Sequence, residues 1–248
     1  MPRRTRYRPP TRFSVMPPVI KNLLVLNGLV FIAQFLASNT LADGSLLAHI
    51  LNYLALYPPG GPEQAALLIS EQIGDAPGFW PWQMVTYSFL HGGFGHLFIN
   101  MLILWMFGVA IENQWGSRRF AVFYFICVVG AAVVHLLFVS GGQTVPTSMG
   151  PTMAAVPTVG ASGGVYGVLL AFGMMYPNRT IYLIFPPIPI RAKWFILGIG
   201  AIQLYSAVTE TQGGVANFAH LGGMVVGFLL IQYWRGKLPV EPERAMRW

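Results

Sequence analysis

A serine and a histidine each begin a glycine-spaced apolar run, and hydrolases pair these two residue types as nucleophile and base. Ser162 stands in the sequence Gly-Ala-Ser-Gly-Gly-Val-Tyr-Gly, and His220 stands in Ala-His-Leu-Gly-Gly-Met-Val-Val-Gly. A neighbouring histidine can take the proton of a serine hydroxyl and so turn it into an attacking nucleophile. Because both runs are apolar enough for a membrane, the pattern predicts a hydrolase that works inside a lipid bilayer.

Several nearby residues could support this chemistry. Ser162 lies at a predicted helix start, where unpaired backbone N–H groups and the helix dipole stabilise negative charge on an oxygen. Tyr166 follows one turn later on the same face, where its ring could hold the imidazole of His220 in place. Small residues spaced four apart would let the two helices approach closely. These pairs are Gly163 with Gly167, and Gly223 with Gly227.

A further polar pair lies in another apolar run. His96 and Asn100 are four residues apart, so both side chains share one helix face and could donate hydrogen bonds to an oxyanion. A metal site is the alternative, since His91, His96 and His220 could in principle bind zinc. However, no carboxylate or cysteine shares their depth, and the four-residue pair is His/Asn rather than His/His. We therefore expect neither a metal nor an organic cofactor.

The acidic residues are poorly placed for catalysis. None is positioned to orient His220, so we expect a Ser-His dyad rather than a triad. Glu112 lies at the opposite end of its span from the predicted site, too far in depth to be a catalytic acid. An ion pair with Arg118 or Arg119 is the expected use of this carboxylate.

The composition indicates a membrane protein. Of the 248 residues, 54% are hydrophobic and 9% are charged, whereas about a quarter of a soluble domain is charged. Several apolar runs approach the roughly 20 residues that cross a hydrocarbon core. The six predicted spans are 19–38, 95–111, 120–139, 162–176, 192–208 and 219–233. The predicted fold is therefore all-α, a polytopic six-helix bundle, with Asn100, Ser162 and His220 in the outer parts of its even-numbered spans.

The placement of charge predicts the orientation. All 15 lysines and arginines lie in the N-terminal tail, at the start of span one, between spans two and three, between spans four and five, or after span six. The loops on the other side carry acidic residues instead, namely Asp43, Glu63, Glu71, Asp75 and Glu210. The positive-inside rule then puts both termini in the cytoplasm, and we expect a plasma membrane of the bacterial inner-membrane type. The net charge of +7 needs no nucleic-acid partner and can face anionic lipids.

Three parts make up the predicted domain organisation. Residues 1–18 are rich in arginine and proline and are expected to be a disordered cytoplasmic tail, residues 19–235 form the six-helix domain, and residues 236–248 form a short cytoplasmic tail. The connection over 40–90 is too long for a bare loop, so we expect structure of its own there. An amphipathic piece at 45–57 and the pair Trp80 and Trp82 suit the membrane interface. The proline-rich run 185–189 should be an extended turn.

Together these motifs resemble those of the rhomboid intramembrane serine proteases. The match covers about residues 19–235 in the order and spacing of the family. The family's Gly-x-Ser-Gly begins at Gly160, its Ala-His-x-x-Gly-x-x-x-Gly begins at Ala219, its His-x-x-x-x-His-x-x-x-Asn joins His91, His96 and Asn100, its tyrosine four residues after the serine is Tyr166, and its Glu-x-x-x-Gly joins Glu112 and Gly116.

The resemblance implies a six-helix core with Ser162 as nucleophile and His220 as general base and acid. It also implies an oxyanion hole made by the Ser162 backbone N–H with His96 and Asn100, and an outer-loop element that lies in the membrane. Family members often carry Trp-Arg in the first loop, whereas here Trp82 is followed by Gln83. The anchoring of that loop is therefore the one place where this sequence departs from the family pattern.

The implied function is cleavage of transmembrane protein substrates near the outer end of their membrane helix, with membrane lipids as the other partner. Substrate helices must unwind to expose a peptide bond, so we expect small or helix-breaking residues around the cleavage point. The rival hypothesis is a transporter or a membrane scaffold that uses the same polar cluster as a binding site. Covalent chemistry at Ser162 would distinguish the two.

Overall fold

The computed structural model describes residues 13–39, 45–59, 77–139, 143–147, 150–154, 156–182, 187–209, 215–240 and 242. Its long helices are α1 (Pro18–Asn39), α4 (Phe94–Trp115), α5 (Ser117–Val139), α6 (Ser162–Met175), α7 (Ala192–Thr209) and α8 (Val215–Trp234). Between α1 and α4 lie the shorter helices α2 (Leu46–Leu54) and α3 (Gln83–Thr86), and a 3₁₀ turn (Tyr87–Phe89). Each predicted span coincides with one long helix, which confirms the all-α fold class.

The helices also suit a bilayer in their length and surface. The four helices α1, α4, α5 and α7 are long and apolar enough to cross a membrane. α6 has only 14 residues, as expected of a helix that begins below the membrane surface inside the protein. On α1, the side chains of Val25, Leu29 and Ile32 are 56%, 59% and 55% exposed. Apolar surface of this kind is rare on soluble monomers, and it marks a multi-pass membrane protein.

α6 is the central helix of the bundle. It packs against α4, α5, α7 and α8, and the side chains of α5 that meet this core include Phe123, Tyr124 and Cys127, each fully buried. Cys127 is thus a packing residue. Because Ser162 is the first residue of this enclosed helix, the four helices that pack against α6 together determine the position of the serine.

The segment between α1 and α4 has structure of its own, as predicted. The side chain of Ser45 caps α2 by accepting a hydrogen bond from the Ala48 N–H at 3.3 Å. Gln83 is fully buried; its Oε1 accepts from the Tyr57 N–H at 3.1 Å, and its Nε2 donates to the Gly78 carbonyl at 2.9 Å. Gln83 therefore connects two segments of the loop through hydrogen bonds, at the position where family members often carry arginine.

The tryptophan pair lies on the outside of the same loop. The rings of Trp80 and Trp82 stack with their centroids 4.8 Å apart, and both side chains are nearly half exposed. The indole N–H of Trp82 donates to the Tyr53 carbonyl at 3.1 Å, which attaches the pair to the end of α2. Stacked, half-exposed indoles with a polar edge are typical of a membrane interface.

Glu112 caps the start of α1, a use of this carboxylate that the sequence did not predict. Its carboxylate oxygens accept from the backbone N–H groups of Val19 and Ile20, each at 2.9 Å, and from the Ser117 hydroxyl at 2.6 Å. The first N–H groups of a helix have no partner within the helix, and the helix dipole favours an anion beside them. Glu112 thus joins the start of α1 to the end of α4.

Two short hairpins interrupt the helices. β1 (Gln143–Thr147) pairs with β2 (Gly150–Ala154) before α6, and β3 (Thr180–Tyr182) pairs with β4 (Pro189–Arg191) before α7. The first hairpin was not predicted, whereas the second contains the end of the proline-rich run expected to be extended.

Most of the two predicted tails and the acidic outer-loop residues lie outside the described residues. Within the predicted disordered tail, Ser14 is held by two backbone hydrogen bonds to the Asn113 side chain, each 2.8 Å long.

Candidate active site

Ser162 and His220 meet at the contact between α6 and α8. Nε2 of His220 lies 2.8 Å from Oγ of Ser162, a normal hydrogen-bond distance. The two residues are 58 positions apart in the sequence, so only the packing of their helices brings them together. In this arrangement the imidazole can take the hydroxyl proton as the oxygen attacks an electrophile.

The ring of Tyr166 lies flat against the imidazole. The two ring centroids are 4.2 Å apart and the ring planes differ by 7°, which is a stacked arrangement. Tyr166 lies one turn after Ser162 on α6, so a single helix presents both the hydroxyl and the surface on which the imidazole rests. The sequence had predicted this position for the tyrosine ring.

Gly160 shapes the approach to the serine. Its φ of +126° is a conformation that residues with a side chain rarely adopt. A Cβ at this position would also lie 2.8 Å from Cε1 and 2.9 Å from Nε2 of His96. The glycine therefore allows the His96 ring to lie against the backbone two residues before Ser162.

The two donors predicted on α4 each have a hydrogen to offer. Nδ1 of His96 lies 3.4 Å from the Gly92 N–H, which donates to it, so the neutral ring carries its hydrogen on Nε2, the nitrogen beside Gly160. The Asn100 side chain is buried, and its amide nitrogen donates to the His96 carbonyl at 2.8 Å. An amide nitrogen has two hydrogens, so a second one remains for an oxyanion.

His91 supports this donor pair from the loop before α4. Its backbone N–H and carbonyl are both bonded to the amide of Gln34, at 2.9 Å and 3.2 Å. Its ring meets the His96 ring edge-on, with centroids 5.1 Å apart. The pKa of His91 is lowered to about 4, mainly by burial and to a smaller extent by the neighbouring His96. At neutral pH His91 is therefore an uncharged packing partner for the His96 ring.

The four predicted glycines lie where α6 crosses α8. A Cβ at Gly223 would fall on the carbonyl oxygen of Gly163, and a Cβ at Gly227 would lie 3.5 Å from Cα of Gly167. The glycines thus pair across the two helices in the order of the sequence. A Cβ at Gly167 would also lie 2.5 Å from Sγ of Cys127, so α5 approaches the same face closely, which no sequence motif indicated.

We expect Gly227→Val to lose both activity and stability. A Cβ at Gly227 would lie 3.1 Å from Cζ of Phe123 and 3.2 Å from Sγ of Cys127, and valine adds two methyl groups beyond it. Overpacking costs about 1–3 kcal/mol, and a shift of about 1 Å in catalytic geometry can cost roughly 100-fold in rate. The measurements are kcat on a transmembrane test substrate and the thermal unfolding temperature in detergent.

Gly198→Val is the matched control, because a Cβ at Gly198 has nothing within 4 Å. This variant should keep both its turnover and its unfolding temperature. Normal turnover and unchanged unfolding in Gly227→Val would show that α6 and α8 do not depend on the close approach at these glycines.

No motif had pointed to Gln203, although it touches the site. It lies on α7, where its Oε1 is 2.8 Å from Nδ1 of His220 and its Nε2 is 3.0 Å from the hydroxyl of Tyr166. The signal that could have found it is an amide inside a predicted span, because polar side chains at membrane depth are functional candidates. No acidic residue was expected to orient His220, and a neutral amide lies beside its Nδ1.

Comparisons with known proteins converge on one family. A family model described as the rhomboid domain matches residues 79–236, which include every candidate site residue. RHOMBOID-like protein 4 of Arabidopsis thaliana is 33% identical over 155 residues, which are 60% of this chain and 33% of that protein. RHOMBOID-like protein 6, mitochondrial, of the same plant is 27% identical over 224 residues, 86% of this chain and 65% of that protein. Rhomboid protease GluP of Bacillus subtilis is 28% identical over 188 residues, 72% of this chain and 32% of that protein. The chain thus spans about a third to two thirds of the length of these relatives.

Proposed function

We propose that this chain, which belongs to the rhomboid family, is a serine endopeptidase that cleaves transmembrane segments of other proteins inside the bilayer. The observation that carries the proposal is the 2.8 Å contact between Nε2 of His220 and Oγ of Ser162 at the start of α6. The name of the Bacillus subtilis relative as a protease supports the same reaction class.

The first half of the reaction is acylation of the serine. Oγ of Ser162 attacks the carbonyl carbon of the scissile bond while Nε2 of His220 takes the hydroxyl proton. The carbonyl oxygen becomes an oxyanion, which the Ser162 backbone N–H, His96 and Asn100 stabilise by donating hydrogen bonds. His220 then gives its proton to the leaving amine, and the N-terminal part of the substrate stays on the serine as an ester.

The second half is hydrolysis of that ester. A water molecule attacks the acyl carbon while His220 again acts as base, and collapse of the second oxyanion releases the carboxylic acid and restores the serine hydroxyl. The stacked ring of Tyr166 supports this double use of the imidazole, since it holds the ring plane at 7° to its own without bonding to Nε2.

Positive charge supports the proposed orientation in a bacterial-type plasma membrane. In the part of the chain that the structure describes, basic residues follow α4, α6 and α8 at the helix ends opposite the start of α6, and Lys21 lies in the first turn of α1. By the positive-inside rule this side is cytoplasmic. The active site then opens toward the outer side, so substrates are cut near the outer end of their membrane helix.

Cleavage of a single-pass test substrate in proteoliposomes tests the proposed function. We expect two products whose new termini lie in the outer part of the substrate helix. Glycine at the cleavage point destabilises a helix by about 1 kcal/mol relative to alanine, a factor of roughly five, so the glycine substrate should be cut about fivefold faster than its alanine counterpart.

A leucine substrate of the same length is the control for hydrophobicity, and it should be cut no faster than the alanine substrate. Cleavage confined to the soluble regions of the test protein would contradict intramembrane proteolysis. If the glycine, alanine and leucine substrates all remain uncleaved, a transporter or a scaffold is the favoured function instead.

A further inference from the structure

One amide side chain on α7 contacts both the imidazole of His220 and the hydroxyl of Tyr166, the residue on whose ring that imidazole stacks. Oε1 of Gln203 lies 2.8 Å from Nδ1 of His220, and Nε2 of Gln203 donates to the Tyr166 hydroxyl at 3.0 Å. Together with the 2.8 Å contact between His220 and Ser162, these bonds form one continuous chain from the tyrosine to the serine. Each of the three hydrogen bonds joins a different pair of the helices α6, α7 and α8.

We propose that Gln203 is a positioning residue that fixes the tautomer of His220, so that Nε2 always faces Ser162 as a proton acceptor. This inference rests on the proposed protease function, and it adds to the dyad a third residue that no motif supplied. Gln203 acts through His220, whose Nδ1 lies 2.8 Å from its Oε1.

The chemistry of the imidazole gives the reason. A carbonyl oxygen carries no hydrogen, so a bond between Oε1 of Gln203 and Nδ1 of His220 places the ring hydrogen on Nδ1. The neutral ring has only one such hydrogen, which leaves the lone pair of Nε2 facing the hydroxyl of Ser162. The opposite tautomer would point a hydrogen from Nε2 at the serine and could not take its proton.

The transition state favours the same orientation of the amide. When His220 takes the serine proton, both ring nitrogens become donors, and Nδ1 then needs an acceptor. An amide turned the other way would present its NH₂ group to the imidazolium, which is repulsive. The orientation with Oε1 on Nδ1 is therefore the one that stabilises the charged ring.

The surroundings of Gln203 explain why an amide is used. Its neighbours Ile202 and Leu204 are 59% and 56% exposed on the apolar outside of the bundle, so α7 lies against lipid. A carboxylate at this depth is costly to bury, whereas an amide provides an acceptor without a charge. Both ends of the amide are paired, which avoids the cost of an unsatisfied polar group in an apolar medium.

Substitution of Gln203 separates positioning from mere packing. Gln203→Leu keeps the approximate size and removes both hydrogen bonds, and we expect kcat to fall about tenfold with little change in KM, since one neutral hydrogen bond corresponds to roughly that factor. Labelling of Ser162 by a fluorophosphonate should slow by the same factor, because it requires the activated serine and no substrate. Gln203→Glu keeps an oxygen beside Nδ1 and should be faster than Gln203→Leu in both assays. Leu204→Ala, the matched change on the lipid side of α7, should equal the unchanged protein.

The ring nitrogens of His220 report the tautomer directly. In protein labelled with ¹⁵N-histidine, the signals of His220 are identified by their loss in His220→Ala. We expect the hydrogen on Nδ1 in the unchanged protein and a mixture of the two tautomers in Gln203→Leu, an effect that a purely structural role would not produce. A hydrogen on Nε2 in the unchanged protein would overturn the proposal, whatever the variants do.

The outcomes also separate this proposal from the proposed function. If Gln203→Leu labels and cleaves as fast as the unchanged protein, Gln203 is not a positioning residue, and the protease assignment stands. If the unchanged protein neither cleaves nor labels, the protease assignment fails, and the tautomer measurement still decides whether Gln203 sets the hydrogen on His220.

Discussion

Ser162→Ala and His220→Ala are each expected to abolish cleavage of a transmembrane substrate, with a loss on the order of 10⁴-fold or more in kcat. The first removes the attacking oxygen, and the second removes the base that lies 2.8 Å from it. Because the two residues act as one unit, the double variant should be no slower than either single variant. Initial rates of product formation in detergent measure all three.

The controls repeat the same chemical changes away from the site. Ser38→Ala on the exposed side of α1 and His49→Ala on the exposed side of α2 should cleave at the rate of the unchanged protein. The thermal unfolding temperature of Ser162→Ala should also be unchanged, since only a hydroxyl is lost. Equal turnover by Ser162→Ala and the unchanged protein would rule out the serine mechanism.

Asn100→Ala is expected to lower kcat by about 10²–10³-fold, the usual cost of one lost oxyanion donor. Its amide hydrogen acts only when charge develops on the carbonyl oxygen, so KM should change little. Asn113→Ala is the control on the same helix: it removes the bonds to Ser14 at the far end of α4 and should leave kcat unchanged. A rise in KM with unchanged kcat in Asn100→Ala would make Asn100 a substrate-binding residue instead.

The same assay tests the alternative of a metal site. With Ser162 as nucleophile, EDTA and phenanthroline should leave kcat unchanged. Inactivation by either chelator, reversed by added zinc, would favour the site built from His91, His96 and His220.

Local patterns in the sequence were enough to predict the long helices and most of the residues that meet at the site. Apolar length sets the spans, so the limits of α4 and α8 differ from the predicted ones by no more than four residues. The spacing of the glycines predicts the face of α6 that meets α8, because residues four apart share a helix face. The pairing of Ser162 with His220 follows once those faces are known.

Contacts that depend on the rotation of separate helices were not predictable in this way. Glu112 caps a helix start 93 residues earlier in the chain, and no spacing in the sequence links the two. Gln203 lies 17 residues before His220 on another helix, and only the rotation of α7 turns its amide inward rather than toward lipid. The tight contact of Cys127 with Gly167 has the same origin, since neither residue type indicates which helix it meets.

Labelling with a serine-directed fluorophosphonate tests the central claim most directly, because it reads the activation of one hydroxyl without any choice of substrate. The purified protein, Ser162→Ala and His220→Ala are each incubated with the probe, and the adduct is located by mass spectrometry. We predict one adduct per chain on Ser162, no adduct in Ser162→Ala, and none above background in His220→Ala. Two results would contradict a serine protease built on Ser162 and His220. One is a protein that stays unlabelled although its thermal unfolding transition shows that it is folded, and the other is an adduct of equal yield in Ser162→Ala.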